Sequence, residues 1–267
     1  METDEICHPS QQGTSFDSIE YLNNFYSEVD SEPAMNLILY FLPSLAARVP
    51  KVGGRLLDVG SGPTIYVALI FRNLFDEIYL SDFAEANRKE LRAWLDGSSS
   101  FDWSKIVSYI QRLESSNQSP ELMLSQTKSV VKNVLSCDVM KPGVIPQDPS
   151  LSAASSQFDV VTSFFCLEAA GKTLEEFRTG LRNLVDLIRP GGHLILGGIL
   201  NLAWYQTGGR KYGCCALDQS LLFRCLEEVG IDTRPEKSFY RQHDTYYHHE
   251  DVYLFMGQKM DSVKLIK

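Results

Sequence analysis

The chain has 267 residues, of which 44% are hydrophobic, 22% charged and 11% aromatic; this excludes a disordered, collagenous or coiled-coil chain. One core can still grow at this length, so a single large domain is expected. The 25 lysines and arginines against 34 aspartates and glutamates leave a formal net charge of −9, a mean field that repels nucleic acid and anionic lipid.

Apolar runs such as Leu37 to Leu42 fall far short of the roughly 20 residues that span a bilayer. The acidic start, with Glu2, Asp4 and Glu5, is not that of a signal or transit peptide, so a cytoplasmic protein with no membrane partner is expected. Its six cysteines, Cys7, Cys137, Cys166, Cys214, Cys215 and Cys225, have neither zinc-site spacing nor disulfide-scaffold density and read as reduced thiols. His243, His248 and His249 match no recognised ligand spacing, and no metal is expected. The sequon at Asn117-Gln118-Ser119 stays unmodified without a secretory route.

Residues 1–15 are polar and aperiodic and read as a flexible terminus. Phe16 to Arg48 carries helix-spaced apolar residues interrupted by Pro33 and Pro43, so helices precede the first strand. Arg55 to Val59 predicts a strand, Gly60-Ser61-Gly62-Pro63 a turn, and Thr64 to Phe75 a helix; Glu77 to Ser81 and Glu85 to Leu95 repeat the strand and helix. Residues 97–126 interrupt the rhythm as a helical insertion around Trp103 to Leu113. Val130 to Leu135 and Phe158 to Phe165 predict two further strands, and Thr173 to Ile188 a long helix ended by Pro190-Gly191-Gly192. His193 to Leu200 predicts a strand, Asp218 to Val229 a helix, Ser238 to Tyr240 a short strand and Val252 to Gly257 a last one. Such alternation implies a parallel sheet covered on both faces, with a late antiparallel pair at one edge.

Ligands of such sheets sit at the carboxyl ends of the strands. Gly60-Ser61-Gly62, followed 22 positions after Gly60 by Asp82, is a turn that lets a ligand approach, with a carboxylate for ribose hydroxyls. A dinucleotide needs free N–H groups at the helix start, yet Pro63 removes one, and Ile65 stands where a third glycine belongs. This disfavours a nucleotide-dependent oxidoreductase and leaves an adenosyl ligand without phosphates. Asp138 either accepts the adenine amino group or caps a loop. Tyr21 and Tyr26 either pack in the core or present ring faces to a cation.

The sequence resembles the small-molecule amine N-methyltransferases that include the nicotinamide, phenylethanolamine and indolethylamine enzymes. The resemblance lies in Tyr21-Leu22-Asn23-Asn24-Phe25-Tyr26, Leu57-Asp58-Val59-Gly60-Ser61-Gly62-Pro63-Thr64-Ile65-Tyr66, Ser81-Asp82-Phe83, Phe101-Asp102-Trp103, Cys137-Asp138-Val139, Phe165-Cys166-Leu167-Glu168-Ala169 and Arg189-Pro190-Gly191-Gly192-His193-Leu194. It implies an α/β, Rossmann-like class I methyltransferase fold over residues 16–267: a seven-stranded mostly parallel sheet, helices on both faces and a helical lid at 16–50. It also implies S-adenosylmethionine as cofactor and a small amine or pyridine as acceptor, in a monomer.

By the same resemblance, Tyr21 and Tyr26 close over the cofactor, Gly60, Ser61 and Tyr66 meet its methionine part, and Asp82 takes the ribose with Asn87 nearby. Asp138 and Val139 take the adenine, and the Phe164 backbone faces the reacting end. Glu168 is the expected amine-receiving and proton-accepting carboxylate; its alternative is a charge at a helix start. Glu250 and Asp251 resemble a second amine-facing pair, with Glu250 the catalytic candidate. Tyr21 and Tyr205 are expected to touch the acceptor, and Tyr205 would otherwise be core. Gly198 stands where the nicotinamide enzyme carries an aspartate, and Asn201 and Leu202 replace the paired glutamates of the phenylethanolamine enzyme. These departures speak against both named substrates and motivate one alternative, a non-catalytic binding protein on the same fold; nicotinamide methylation proper is the other alternative, carried by the family resemblance alone.

Overall fold

A computed structural model describes residues 6–28, 33–50, 53–146, 148, 151, 157–234, 239–244 and 250–260, with residues 33, 239–244 and 250 described through their backbone. Three helices, α1 (Gln12–Ser15), α2 (Ser18–Tyr26) and α3 (Pro33–Ala46), precede the main sheet, and β1 (Ile6–Cys7) precedes them. The sheet then builds from β2 (Arg55–Val59), α4 (Tyr66–Phe71), β3 (Glu77–Asp82) and α5 (Glu85–Asp96). Next come α6 (Ser104–Leu113), α7 (Pro120–Val130), β4 (Val131–Ser136), β5 (Phe158–Phe164), α8 (Leu167–Ala170), α9 (Leu174–Asp186) and β6 (Ile188–Ile199). The chain ends with β7 (Trp204–Thr207), β8 (Arg210–Gly213), α10 (Gln219–Glu228), β9 (Ile231–Asp232), β10 (Phe239–Asp244) and β11 (Glu250–Lys259).

The main sheet runs β10-β11-β6-β5-β2-β3-β4, with two-residue β9 against the far end of β11. Strands β4, β3, β2, β5 and β6 are parallel, whereas β11 is antiparallel to both β6 and β10. Alternation along the strands sends Leu56, Ile78, Leu80, Val160 and Ile195 to one face, under α3, α4 and α6. Leu57, Val59, Tyr79, Val161 and Leu194 go to the other, under α9 and α10. Strand order reverses at β2, between β3 and β5, which opens a crevice at the carboxyl ends of the strands. No helix among the described residues is long and apolar enough to cross a membrane.

The structure corrects the sequence reading in four places. Residues 6–15 are tied down, because β1 pairs in parallel with β8, Gln12 Nε2 donates to the Ala169 carbonyl at 2.8 Å and Ser15 Oγ lies 2.9 Å from the Tyr212 hydroxyl. These contacts are distant in sequence, so local polarity does not reveal them. Pro190-Gly191-Gly192 lies inside β6, where the register against β5 slips between Phe158 and Val160; it is a bulge, and α9 has already ended at Asp186. The hairpin β7–β8 was not expected, although Gly208 and Gly209, both at positive φ, form the two-residue turn. Pro43 lies within α3 and does not end it, because Ile38, Leu39, Leu42 and Leu45 around it are fully buried.

That burial outweighs the amide donor that Pro43 withholds from the preceding turn. Pro43→Ala is therefore expected to raise the unfolding free energy by about 1–3 kcal/mol in urea titrations; a fall would show that packing of the ring outweighs the missing bond.

Candidate active site

The glycine turn after β2 is held by its neighbour strand. The Gly60 and Ser61 amides both donate to the Ser81 carbonyl at 2.9 Å, and Ser61 Oγ donates back to the Asp58 carbonyl at 3.1 Å. Gly60 has φ +73°, and a Cβ there would lie 2.3 Å from Cys166 Sγ, so glycine is required by both backbone and space. Below the turn, burial pushes the Asp58 carboxyl up to about 6, opposed by its bond from Thr162.

Asp82 ties the turn to helix α2 through Asn87. Its Oδ1 accepts the Ala84 amide at 2.8 Å and Asn87 Nδ2 at 3.0 Å, and its Oδ2 accepts the Gly62 amide at 2.8 Å. Asn87 Oδ1 in turn accepts the Ser18 hydroxyl at 2.7 Å, linking α5 to α2. Burial raises the Asp82 carboxyl, and the donors from Asn87, Ala84 and Gly62 oppose it. Three donors leave acceptor capacity on Oδ2 for a further hydroxyl. Asp138 caps its loop, its Oδ1 accepting the Met140 amide at 3.0 Å, and it also lines the same cavity. Val139 lines the cavity beside it, its carbonyl held by Asn183 at 2.8 Å.

Helix α2 supplies an aromatic wall. Tyr26 stacks on Tyr66 with ring centroids 5.9 Å apart, Tyr21 lies 5.8 Å from Tyr26, and Tyr66 meets Phe164 edge-on at 5.8 Å. Tyr26 therefore packs in the core and lines the cavity at once. Burial holds the Tyr26 and Tyr66 hydroxyls well above the ordinary phenol value, so both rings stay neutral.

At the far end of the cavity the chain turns sharply at Phe165, φ +51°, a left-handed position of the kind that clusters at functional sites. That turn delivers Cys166 beneath Gly60 and Glu168, in α8, beneath β6. Glu168 is 3% exposed; its Oε1 accepts the Ile199 amide at 3.2 Å, and burial pushes its carboxyl up to about 7. Tyr205 stacks on Tyr212 at 5.5 Å and lines the same end with Leu202 and Trp204.

The cavity holds about 1080 Å³ and reaches Tyr21, Tyr26, Gly60, Ser61, Tyr66, Asp82, Asn87, Asp138, Val139, Phe164, Glu168 and Tyr205. It does not reach Asp251, which is buried while its neighbour Val252 lines the wall; alternation along β11 turns the two side chains apart. The Glu250 side chain, like those of His243, His248 and His249, lies outside the described residues. Sequence reasoning missed Phe83, Cys137, Cys166, Gln12 and Ser10, all of which line the cavity. Phe83 was legible as the aromatic directly after Asp82, whereas the N-terminal residues carried no signal. Among the described residues the wall bears the carboxylates of Asp82, Asp138, Glu168 and Glu176 and no lysine or arginine.

A carboxyl raised by burial binds its proton more tightly folded than unfolded, so it makes the fold less stable as pH rises from its unfolded value toward about 7. Glu168→Gln should accordingly stabilise the protein at pH 8 and change little at pH 5 in urea unfolding. An equal effect at both pH values would contradict the buried, proton-retaining carboxyl.

The residues fit S-adenosylmethionine: a turn without side-chain bulk at Gly60, an anchor with spare acceptor capacity at Asp82, aromatic faces for a sulfonium and, among the described residues of the wall, no lysine or arginine. The model of the NNMT/PNMT/TEMT family matches residues 5–260. Nicotinamide N-methyltransferase of Caenorhabditis elegans is 32% identical over 261 residues, covering 96% of this chain and 94% of that protein. Indolethylamine N-methyltransferase of Oryctolagus cuniculus is 32% identical over 80% of this chain and 81% of its own length. Phenylethanolamine N-methyltransferase of Bos taurus is 39% identical over 69% and 66%. Two solved structures share the fold. Magnesium protoporphyrin IX methyltransferase from Synechocystis, with bound S-adenosylmethionine, matches at TM-score 0.55 and 13% identity over 96% of this chain and 100% of its own. The 1,6-didemethyltoxoflavin-N1-methyltransferase from Burkholderia thailandensis, with S-adenosylhomocysteine, matches at 0.53 and 13% over 97% and 93%. The chain thus belongs to the NNMT/PNMT/TEMT family and is an S-adenosylmethionine-dependent enzyme that methylates the nitrogen of small-molecule amines.

Proposed function

We propose that the acceptor is an alkylamine with an apolar, aryl-bearing body, taken up as an ammonium ion and deprotonated at Glu168. The observation that carries this is a buried carboxylate in a wall with no lysine or arginine, an environment that becomes favourable only when the occupant brings the positive charge. The apolar body fits Leu202, Trp204 and Tyr205 beside Glu168.

In this reading Asp82 holds the ribose hydroxyls, with Asn87 fixing its orientation, and Asp138 and Val139 border the adenine. Gly60 and Ser61 admit the methionine part, which Tyr66 and Tyr26 cover. Tyr21 closes the wall between cofactor and acceptor. When bound, S-adenosylmethionine supplies an electrophilic methyl group, which the nitrogen lone pair takes in a direct displacement as the carbon–sulfur bond breaks toward sulfur. Glu168 first accepts one proton from the ammonium ion, directly or through one water, and so frees that lone pair. The buried rings exclude water and hold the nitrogen in line. The six free cysteines fit the reducing cytoplasm.

Initial rates with an arylalkylamine, its α-carboxylated amino-acid counterpart and a neutral pyridine carboxamide test this reading. The arylalkylamine should be preferred, and the amino acid rejected because no lysine or arginine of the wall meets its carboxylate. Glu168→Gln should lower kcat/KM for the amine by at least about a hundredfold, the scale of a lost general base, and abolish the fall of kcat/KM below pH about 7. Titration with S-adenosylhomocysteine should give the parental affinity for Glu168→Gln. Parental turnover of the amine by that variant across pH would refute the assignment.

In a second prediction from the same site, Asp82→Ala should weaken S-adenosylhomocysteine binding at least about tenfold, the scale of one charge-assisted hydrogen bond. Unchanged affinity would remove the ribose anchor.

A further inference from the structure

Just before Ile199, the residue through which strand β6 lines the cavity, come two consecutive glycines, Gly197 and Gly198, facing opposite sides of the sheet. A Cβ on Gly197 would lie 2.6 Å from the Phe164 ring and 2.7 Å from Ile38. A Cβ on Gly198 would lie 2.3 Å from Glu168 Oε1, 2.9 Å from its Cδ and 3.1 Å from its Oε2. Neither glycine is among those at positive φ, so the backbone would accept any residue at either position. Space alone requires glycine here.

At Gly198 that space is filled by a carboxylate arriving from α8. Seated there, Glu168 is in reach of the Ile199 amide, its donor from the next residue of the same strand. We propose that Gly198 is a positioning residue: its missing side chain is the seat of the Glu168 carboxylate, and this vacancy in the strand sets the enzyme to read its acceptor as a cation. The inference rests on Glu168 being the amine-receiving group.

The physical consequence is selective. The nearest atoms to the added Cβ are the far end of a flexible side chain, so a methyl group at position 198 displaces the carboxylate without breaking the sheet. Displacement separates Glu168 from the Ile199 amide and from its place opposite the nitrogen, while the Gly60 turn and Asp82 keep their geometry.

Gly198→Ala, Glu168→Ala and the double variant test this. Gly198→Ala should raise KM for an arylalkylamine at least about tenfold and move the acidic limb of its pH profile, the signature of a relocated carboxylate. Affinity for S-adenosylhomocysteine, by titration, should stay within about twofold of the parent, because no group placed at the cofactor has moved. In the Glu168→Ala background the same change should cost nothing further, since the space is then empty. Parental KM and pH profile in Gly198→Ala, with Glu168→Ala impaired, would overturn the role of Gly198 alone; parental amine turnover by Glu168→Ala would overturn the reading of Glu168 itself. If Gly198→Ala is insoluble, a folded double variant supports the seat and an insoluble one overturns it.

Discussion

Glu168 lies in the interior at the end of a parallel sheet, its carboxylate accepting a backbone amide of β6 and seated against Gly198. Taking an ionised carboxylate out of water is costly unless a positive charge accompanies it, and the group otherwise keeps its proton. The wall around it offers aromatic faces and further acids. The positive charge must then come from what binds, and both a sulfonium and an ammonium ion meet that need. On the reading proposed above, one electrostatic condition favours both cofactor and acceptor, beside the separate anchor at Asp82.

The fold creates that condition through geometry at three strand ends. At β2 the absence of a side chain on Gly60 admits Cys166 against the turn, and at β3 Asp82 gathers three donors that fix the turn, α5 and, through Asn87, the lid helix. At β5 the left-handed Phe165 starts α8 in the direction that buries Glu168 against β6. The N-terminal segment completes the enclosure, because β1 joins the β7–β8 hairpin and Gln12 reaches the α8 carbonyl of Ala169. The N-terminal strand and the hairpin that carries Tyr205 therefore share one small sheet.

Much of this was legible in the sequence. Strand–glycine–helix punctuation gave β2, β3 and their turn, the acid following β3 gave Asp82, and alternation with helices gave the parallel core. The aromatic residues of α2 were legible as either core or cavity residues, and Tyr26 packs in the core while it lines the cavity. What stayed hidden depends on contacts distant in sequence: the anchoring of residues 6–15, the continuation of α3 through Pro43, and the bulge at Pro190-Gly191-Gly192. Asp251 is instructive, since an acidic residue before a strand looked amine-facing, and strand parity turns the neighbouring Val252 to the cavity instead. Gly198 was visible only as a departure; the reason for it is a carboxylate thirty positions earlier in the chain, at Glu168.

The most direct measurement of the electrostatic condition is a carbon-13 titration of the Glu168 carboxyl in the protein saturated with S-adenosylhomocysteine, assigned by its loss in Glu168→Gln. Without acceptor the carboxyl should ionise near pH 7, and with an arylalkylamine bound its midpoint should fall by at least about one unit. An ordinary carboxylate midpoint, unmoved by the amine, would contradict the account.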